Sequence, residues 1–264
     1  MIIDSHTHFI VDKKKEGSFA KIKDELMLNI DKLGIKYSIV IPDNVSGSEC
    51  ADLNTVVEMT KDEKRLYMLG TLAVSDINRQ TLSKINILFK NKIIRGFKIF
   101  PGHDPVYPTD KRWIPVFKLC LRYNFPLVVH TGINPGDKKC ARYNDPKHIV
   151  KVAQKYPKLK IVLSHYFWPK LDYCFSITKG FKNIYFDTSA LADPEVVRAS
   201  GGIRKIREIL VKTIKRDSES VIFGSDWPMC KTELHINLIN SLGITKEEKN
   251  KVFYKNAKRV FKLS

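Results

Sequence analysis

Short apolar runs alternate along the chain with segments whose apolar residues recur every three or four positions. The runs are typical of buried strands, and the recurring pattern is typical of one face of a helix. The first helix is predicted from Ser18 to Leu33, and Gly34 then favours its end because glycine readily adopts a left-handed conformation. Its apolar face consists of Phe19, Ile22, Leu26, Ile30 and Leu33.

Eight apolar runs predict strands at 2–5, 37–41, 66–74, 93–100 (interrupted at 95–96), 126–130, 160–165, 184–187 and 220–225. Helices are predicted between them at 51–60, 78–90, 110–123 and 146–156. Asp145 and Asp193, each followed by proline, predict helix starts, and Thr245 with Glu248 predicts a capping box before a last helix.

This alternation predicts an α/β protein, a (β/α)8 TIM barrel formed by a single domain over residues 1–264. A hydrophobic content of 43% is sufficient for one large core. An open, doubly wound sheet is the alternative. Its nucleotide-binding form is not favoured, because no glycine-rich phosphate loop follows an early strand.

A net charge of +18 would attract nucleic acids, acidic membranes or anionic substrates. The lysines are spread over the polar sides of the predicted helices, so we interpret them as a solvated surface and do not favour a nucleic-acid partner. No apolar run reaches the roughly 18 residues that a membrane span requires, and the first residues resemble a strand rather than a signal peptide. We therefore expect a cytoplasmic protein without a membrane partner.

The five cysteines form no CxxC pair, which argues against a disulfide framework or a zinc ribbon.

Several predicted strands carry histidine or aspartate at their ends. His6 and His8 lie two positions apart on the first strand, so their side chains share one side and can reach one metal ion. His130, His165 and Asp226 end three further apolar runs, at the barrel end where sites of this fold lie. A lone His-x-His could be two surface histidines, but polar residues at the ends of four strands favour a metal centre.

The chain resembles the amidohydrolase superfamily, and most closely its amidohydrolase-related branch of metal-dependent TIM-barrel hydrolases and decarboxylases. The similar blocks are DSHTHF, RGFKIFPG, FPLVVHTG, KIVLSH, NIYFDTS, FGSDWP and NAKRVF. The resemblance implies metal ligands at His6, His8, His130 and Asp226, with Asp226 and His165 as catalytic residues. In two-metal relatives His165 would bind the second ion. The expected cofactor is a divalent metal, zinc with manganese as the alternative, and one or two ions stay open.

Three further residues are weaker candidates for substrate contact. Lys98 could bind an anionic substrate group or be structural, and we rank both above the carbamylated, metal-bridging lysine of some relatives. His103 follows the fourth strand and could determine specificity. Asp187 could touch substrate, orient His165 or be a buried structural residue. Trp168 replaces a glycine-rich stretch of the relatives, so a narrower pocket is expected.

The sequence thus predicts a hydrolase that acts through a metal-activated water on a small organic substrate, anionic ones included. The first alternative is a metal-dependent decarboxylase of an aromatic or muconate-type acid. A TatD-like metal-dependent nuclease would suit the basic charge, but such nucleases usually carry glutamate where this chain has Lys98. A metal-free binding protein is the remaining alternative. A homodimer is an ordinary expectation for an enzyme of this kind.

Overall fold

Eight parallel strands form one sheet whose spatial order follows the sequence. The computed structural model describes residues 1–11, 18–45, 47–133 and 138–264. The strands are β1 (Ile2–Thr7), β2 (Ile35–Val40), β3 (Leu66–Thr71), β4 (Ile94–Ile99), β5 (Leu127–Val129), β6 (Ile161–Leu163), β7 (Ile184–Asp187) and β8 (Val221–Ile222). The segment after β8 returns to β1, where the Asp226 amide donates to the His6 carbonyl at 2.9 Å. The predicted TIM barrel is confirmed, and the doubly wound alternative, which would reverse the strand order, is wrong.

Helices connect the strands and surround the barrel. They are α1 (Phe19–Leu33), α2 (Leu53–Thr60), α3 (Arg79–Lys90), α4 (Ile114–Tyr123), α5 (Pro146–Lys155), α6 (Leu171–Ile177), α7 (Pro194–Ala199), α8 (Ile203–Arg216), α9 (Thr232–Asn240), α10 (Lys246–Asn250) and α11 (Asn256–Val260). The predicted caps are confirmed, since the side chains of Asp145, Asp193 and Thr245 each accept from a first-turn amide. The Ser18 side chain caps α1 in the same way. Gly34 ends α1 with a φ of 63°.

Several strands end earlier than their apolar runs predict. β3 stops at Thr71, and Val74 begins a short 3-10 turn instead. β8 is reduced to two residues, since the next two amides bond elsewhere: Phe223 donates to the Val252 carbonyl and Gly224 to the Thr188 hydroxyl. β4 is continuous over Ile94–Ile99, but its register against β3 shifts by one residue across 95–96, where the sequence predicted an interruption. Gly96 lies within the strand, and its lack of a side chain allows close approach to Pro126.

The last helix predicted after Thr245 is present, with helical backbone throughout 246–260, but its middle turn is π-helical. A π-helical turn at Lys251–Lys255 separates α10 from α11. Residues of α11 pack in one apolar cluster with strand residues such as Ile39 and Val128. Next to α11, the backbone of Lys262 accepts from Arg95 near the start of β4. The C-terminal segment therefore covers the end of the barrel opposite to the predicted site.

A second, larger apolar cluster lies between the strands and the surrounding helices. It includes Phe89 of α3, Phe117 of α4 and Ile209 of α8, all buried. Two apolar layers on either side of the strands are the arrangement that a parallel barrel requires. None of the helices in the described ranges has the length and apolar character that a membrane span needs.

Candidate metal centre

The carboxyl ends of β1, β5, β6 and β8 bring five predicted side chains together. The Nε2 atoms of His6 and His8 lie 3.4 Å and 3.5 Å from Oδ1 of Asp226. The Nδ1 atom of His165 lies 3.8 Å from Oδ2 of the same carboxylate. The ring of His130 has its centroid 4.9 Å from that of His165. Residues from distant parts of the sequence thus surround one carboxylate.

Each of the two β1 histidines has one ring nitrogen held by an acceptor. Nδ1 of His6 lies 2.8 Å from Oδ2 of Asp187, and Nδ1 of His8 lies 2.9 Å from the carbonyl oxygen of Ile41. Because a carbonyl and an ionised carboxylate only accept, both Nδ1 atoms carry the proton. In their neutral form both rings therefore direct an unprotonated Nε2 toward Asp226, which is the form in which imidazole binds a metal.

Two buried atoms of the cluster have no hydrogen-bond partner among the described residues: Oδ1 of Asp226 and Nε2 of His130. Leaving a buried polar atom unpaired costs about 1–3 kcal/mol, and more for a charged group. One ligand atom each from His6, His165 and Asp226 lies within 4.8 Å of the others. Imidazole nitrogens and a carboxylate oxygen suit zinc and manganese. The side chains present therefore fit a divalent cation.

Burial keeps the imidazoles of His6, His130 and His165 neutral. It lowers the pKa of His6 to about 3, with the nearby Lys98 acting in the same direction. Burial likewise lowers the pKa of His165, and that of His130 falls well below its usual range. Burial alone would raise the pKa of Asp226, but His165 and His8 beside it hold that pKa well below the usual range. An ionised carboxylate among neutral imidazoles is a donor set ready for a cation.

Asp187 at the end of β7 orients two of the histidines at once. Its Oδ2 accepts from His6, and its Oδ1 accepts from the backbone amides of His165 and Ser189, each at 3.1 Å. The Ser189 hydroxyl also donates to Oδ1, so its oxygen accepts from Nδ1 of His165 at 2.9 Å. This arrangement leaves Nε2 of His165 as the unprotonated ring nitrogen. The carboxylate of Asp187 is occupied by protein donors, which favours the orienting role among those predicted for it.

The contact with Asp187 also explains a difference from the sequence prediction. Strand β6 ends at Leu163 rather than at His165, which adopts a left-handed conformation with a φ of 61°. The amide of His165 leaves the strand ladder to reach Asp187, and the Phe167 amide donates to Thr131 at 2.9 Å. The turn therefore carries His165 toward the centre of the barrel mouth.

The sequence pattern of the amidohydrolase family matches residues 3–263. The chain belongs to this family. None of the curated protein sequences searched matches the chain.

Several solved structures share this fold. An uncharacterized TIM-barrel protein from Bordetella bronchiseptica is 19% identical, with a TM-score of 0.79, over 99% of this chain and 98% of that one. A probable 2-pyrone-4,6-dicarboxylic acid hydrolase from Acinetobacter baumannii, with citric acid bound, is 13% identical, with a TM-score of 0.71 and 99% of both chains covered. A third structure is a 5-carboxyvanillate decarboxylase from Novosphingobium aromaticivorans, complexed with manganese and 4-hydroxy-3-methoxy-5-nitrobenzoic acid. It is 14% identical, with a TM-score of 0.65, over 100% of this chain and 96% of that one. At these identities the likeness shows the fold.

A cavity of about 310 Å³ opens onto the cluster of this amidohydrolase. Apolar and aromatic side chains form much of its wall: Phe100, Ile133, Trp168, Ala190, Val196, Met229 and Cys230. Trp168 lines this cavity, as the sequence led us to expect. It packs closely on Gly132, where a Cβ added to the glycine would lie 3.1 Å from the carbonyl oxygen of Trp168. A wider groove of about 1020 Å³ lies beside it, between the segments after β2 and β3, but none of the five clustered residues lines that groove.

Lys98 and His103 both line the smaller cavity. The Lys98 side chain is fully buried, its Nζ donates to the Ser164 hydroxyl at 2.7 Å, and burial lowers its pKa to about 8. The His103 ring lies 4.9 Å from that of His130. Both residues therefore lie where a substrate could contact them.

Other lining residues were not predicted. Asp43 and Cys50 follow β2, and Met229 follows Asp226. None of them continues an apolar run or a recognisable motif, so the sequence offered no signal for them. Ser164 does not line the cavity, but it binds Lys98, and the sequence could have suggested it, because a buried lysine needs a polar partner.

Replacing Asp187 with asparagine is expected to weaken zinc binding by about 10–100-fold, the usual effect of losing a partner that orients a metal-binding histidine. The reason is that an amide is uncharged and binds Nδ1–H of His6 more weakly than a carboxylate does. The dissociation constant, measured by competition with a chelating dye, tests this. Asp193→Asn is the control, since Asp193 also lines the cavity but caps α7. Equal affinities in the two variants would contradict the orienting role.

Proposed function

We propose that this amidohydrolase is a metal-dependent hydrolase of small organic substrates, anionic ones included, that uses a metal-activated water. Its metal ligands would be His6, His8, His130 and Asp226, and the ion zinc, with manganese as the alternative. One observation carries the proposal: two histidines with fixed Nδ1–H direct Nε2 toward one buried carboxylate oxygen that has no partner in the described chain.

A divalent cation in this site would lower the pKa of a bound water and polarise a substrate oxygen. The protein contributes the proton transfers. Asp226 is ionised and accepts a proton at its carboxylate, which lies at the centre of the cluster. His165, with its Nδ1–H held by Ser189, exchanges a proton with the substrate or leaving group at Nε2. The apolar wall of the cavity excludes water from the remaining surface of the substrate.

The cavity of about 310 Å³ suits a substrate the size of one substituted ring. Its flat side chains, Phe100 and Trp168, favour a planar apolar body. Lys98 and His103 would contact a polar or anionic substituent. Lys98 as a structural residue bound to Ser164 is the competing role, and a carbamylated, metal-bridging Lys98 comes after both. Substrate contact by Asp187 is the least supported of the three predicted contacts.

A metal-dependent decarboxylase of an aromatic or muconate-type acid is the second candidate. The apolar cavity wall favours decarboxylation. A substrate carboxylate is destabilised when it loses its surrounding water, and this destabilisation is relieved as the group leaves as uncharged carbon dioxide. One structural relative is named a decarboxylase, and its structure holds manganese and a nitrobenzoic acid. Release of carbon dioxide from aromatic acids, compared with hydrolysis of lactones and amides, separates the two reactions.

The first experiment is elemental analysis of protein purified without chelators, beside the double variant His130→Ala, Asp226→Ala. About one or two equivalents of a transition metal are expected in the wild type and a large loss in the variant. The matched control is the double variant His148→Ala, Asp193→Ala, which should keep its metal because neither residue belongs to the cluster.

The number of equivalents also bears on Lys98, since only a two-metal site needs a bridging ligand. A wild type that binds no metal even after incubation with zinc or manganese would contradict the proposal, and the metal-free binding protein would replace it. We expect that the metal-loaded enzyme does not cleave single-stranded DNA. Cleavage would favour the nuclease alternative. A cytoplasmic location and a homodimer stay predictions of the sequence.

A further inference from the structure

We propose that Asp4 and Ser225 are positioning residues that hold the Asp226 carboxylate in its metal-binding geometry. The inference rests on the proposed metal site, since it concerns the support of one of its ligands. It assigns a role to a buried carboxylate and a hydroxyl that take no part in the chemistry proposed above.

The carboxylate of Asp4 joins the two chain segments that carry the metal-binding residues. Its Oδ1 accepts from the backbone amides of Ser225 at 2.9 Å and of His6 at 3.3 Å. Its Oδ2 accepts from the hydroxyl of Ser225 at 2.6 Å. Asp4 is almost completely buried, so water does not compete for these contacts. A single side chain thus fixes β1 at His6 against the residue that precedes Asp226.

The Ser225 hydroxyl extends this support to the other side of Asp226. Its oxygen accepts from the backbone amide of Trp227 at 3.1 Å and from the hydroxyl of Thr232 at 3.3 Å. Thr232 in turn accepts from the side-chain amide of Asn29 on α1 at 3.1 Å. The Ser225 hydroxyl thus ties the residue before Asp226 to the residue after it. Through Thr232 it is also connected to a helix outside the barrel.

The backbone of Asp226 needs such support. Its φ is 72°, in the left-handed region that residues with a side chain adopt infrequently and that persists where surrounding contacts impose it. The Asp226 amide donates to the His6 carbonyl at 2.9 Å, which fixes one side of the peptide. Without the Asp4–Ser225 contacts, the turn could relax toward a more common conformation, and the carboxylate would move away from His6 and His8.

Asp4 acts through Asp226 rather than as a ligand itself. Both of its oxygens accept hydrogen bonds from β1 or from Ser225, and it does not line the cavity. A merely structural role would stabilise the junction between β1 and the segment after β8 without affecting the metal. The protein offers a matched comparison, because the buried Ser5 hydroxyl donates to the Phe223 carbonyl at 2.7 Å across the same junction.

The test compares Ser225→Ala with Ser5→Ala in the full-length protein. Each variant loses one buried hydroxyl at this junction, but only the first loses contacts beside Asp226. The measurements are the dissociation constant for zinc by chelator competition and the visible absorption of the Co²⁺-loaded protein, which reports ligand geometry. We expect Ser225→Ala to bind zinc about 10–100-fold more weakly and to shift the Co²⁺ spectrum, with Ser5→Ala matching the wild type.

Asp4→Asn serves as a second variant if Ser225→Ala does not fold. Its amide oxygen can keep the two backbone contacts while its NH₂ group cannot accept from Ser225, so a smaller change in the same direction is expected. Wild-type affinity and spectrum in the folded variants would overturn the positioning role alone. A wild type that binds neither zinc nor Co²⁺ would instead refute the metal site, and with it both proposals.

Discussion

Replacing Asp226 with asparagine is expected to reduce kcat/KM by about 10²–10⁴-fold, the range for losing a general acid–base group. Asparagine tolerates the left-handed backbone at this position as aspartate does, so the fold should persist. Its amide oxygen can still approach a cation, but it cannot accept a proton, and it removes a negative charge from among the histidines. Steady-state kinetics on the substrate found by screening, together with the melting temperature, checks this result.

The control for Asp226→Asn is Asp193→Asn, a change of the same chemistry on the wall of the same cavity. That variant should keep activity close to that of the wild type. Activity of the Asp226 variant within a few-fold of the wild type, with the fold intact, would show that this carboxylate does not take the proton.

Replacing His165 with glutamine is expected to lower kcat by about 10²–10⁴-fold while the metal content stays at the wild-type value. The physical reason is the state of its ring. Nδ1–H is held by Ser189 and Asp187, which leaves Nε2 to exchange a proton with substrate. The comparison variant is His130→Gln, which should lose metal because its buried Nε2 has no partner in the described chain. Elemental analysis and kcat measured on the same preparations distinguish the two histidines.

The opposite result would be equally informative. Loss of metal from the His165 variant would make this residue a ligand, consistent with the distance of 4.8 Å or less among ligand atoms of His6, His165 and Asp226. In that case, a loss of one equivalent out of two would favour the second-ion role predicted from the resemblance. Full metal retention in the His130 variant would require a different ligand set.

Much of the fold was predictable because the two periodicities reflect which faces of the elements are buried. The α1 helix illustrates this, since its apolar spacing, its start near Ser18 and its end at Gly34 all agree with the structure. Strand ends were less predictable. β6 and β8 stop short of His165 and Asp226 because nearby amides bond to side chains instead: the His165 amide donates to Asp187 and the Gly224 amide to the Thr188 hydroxyl.

Patterns along the chain were enough to predict the barrel and to name the residues at its mouth, because apolar periodicity and the polar residue that follows an apolar run are local properties. The orientation of those side chains is visible only in the folded chain. The proton positions on His6 and His165 depend on Asp187, which lies 181 and 22 residues away along the chain. The turn that directs Asp226 toward the histidines depends on Asp4, 221 residues before Ser225. Contacts of this kind arise only when the barrel closes, so no pattern along the chain records them.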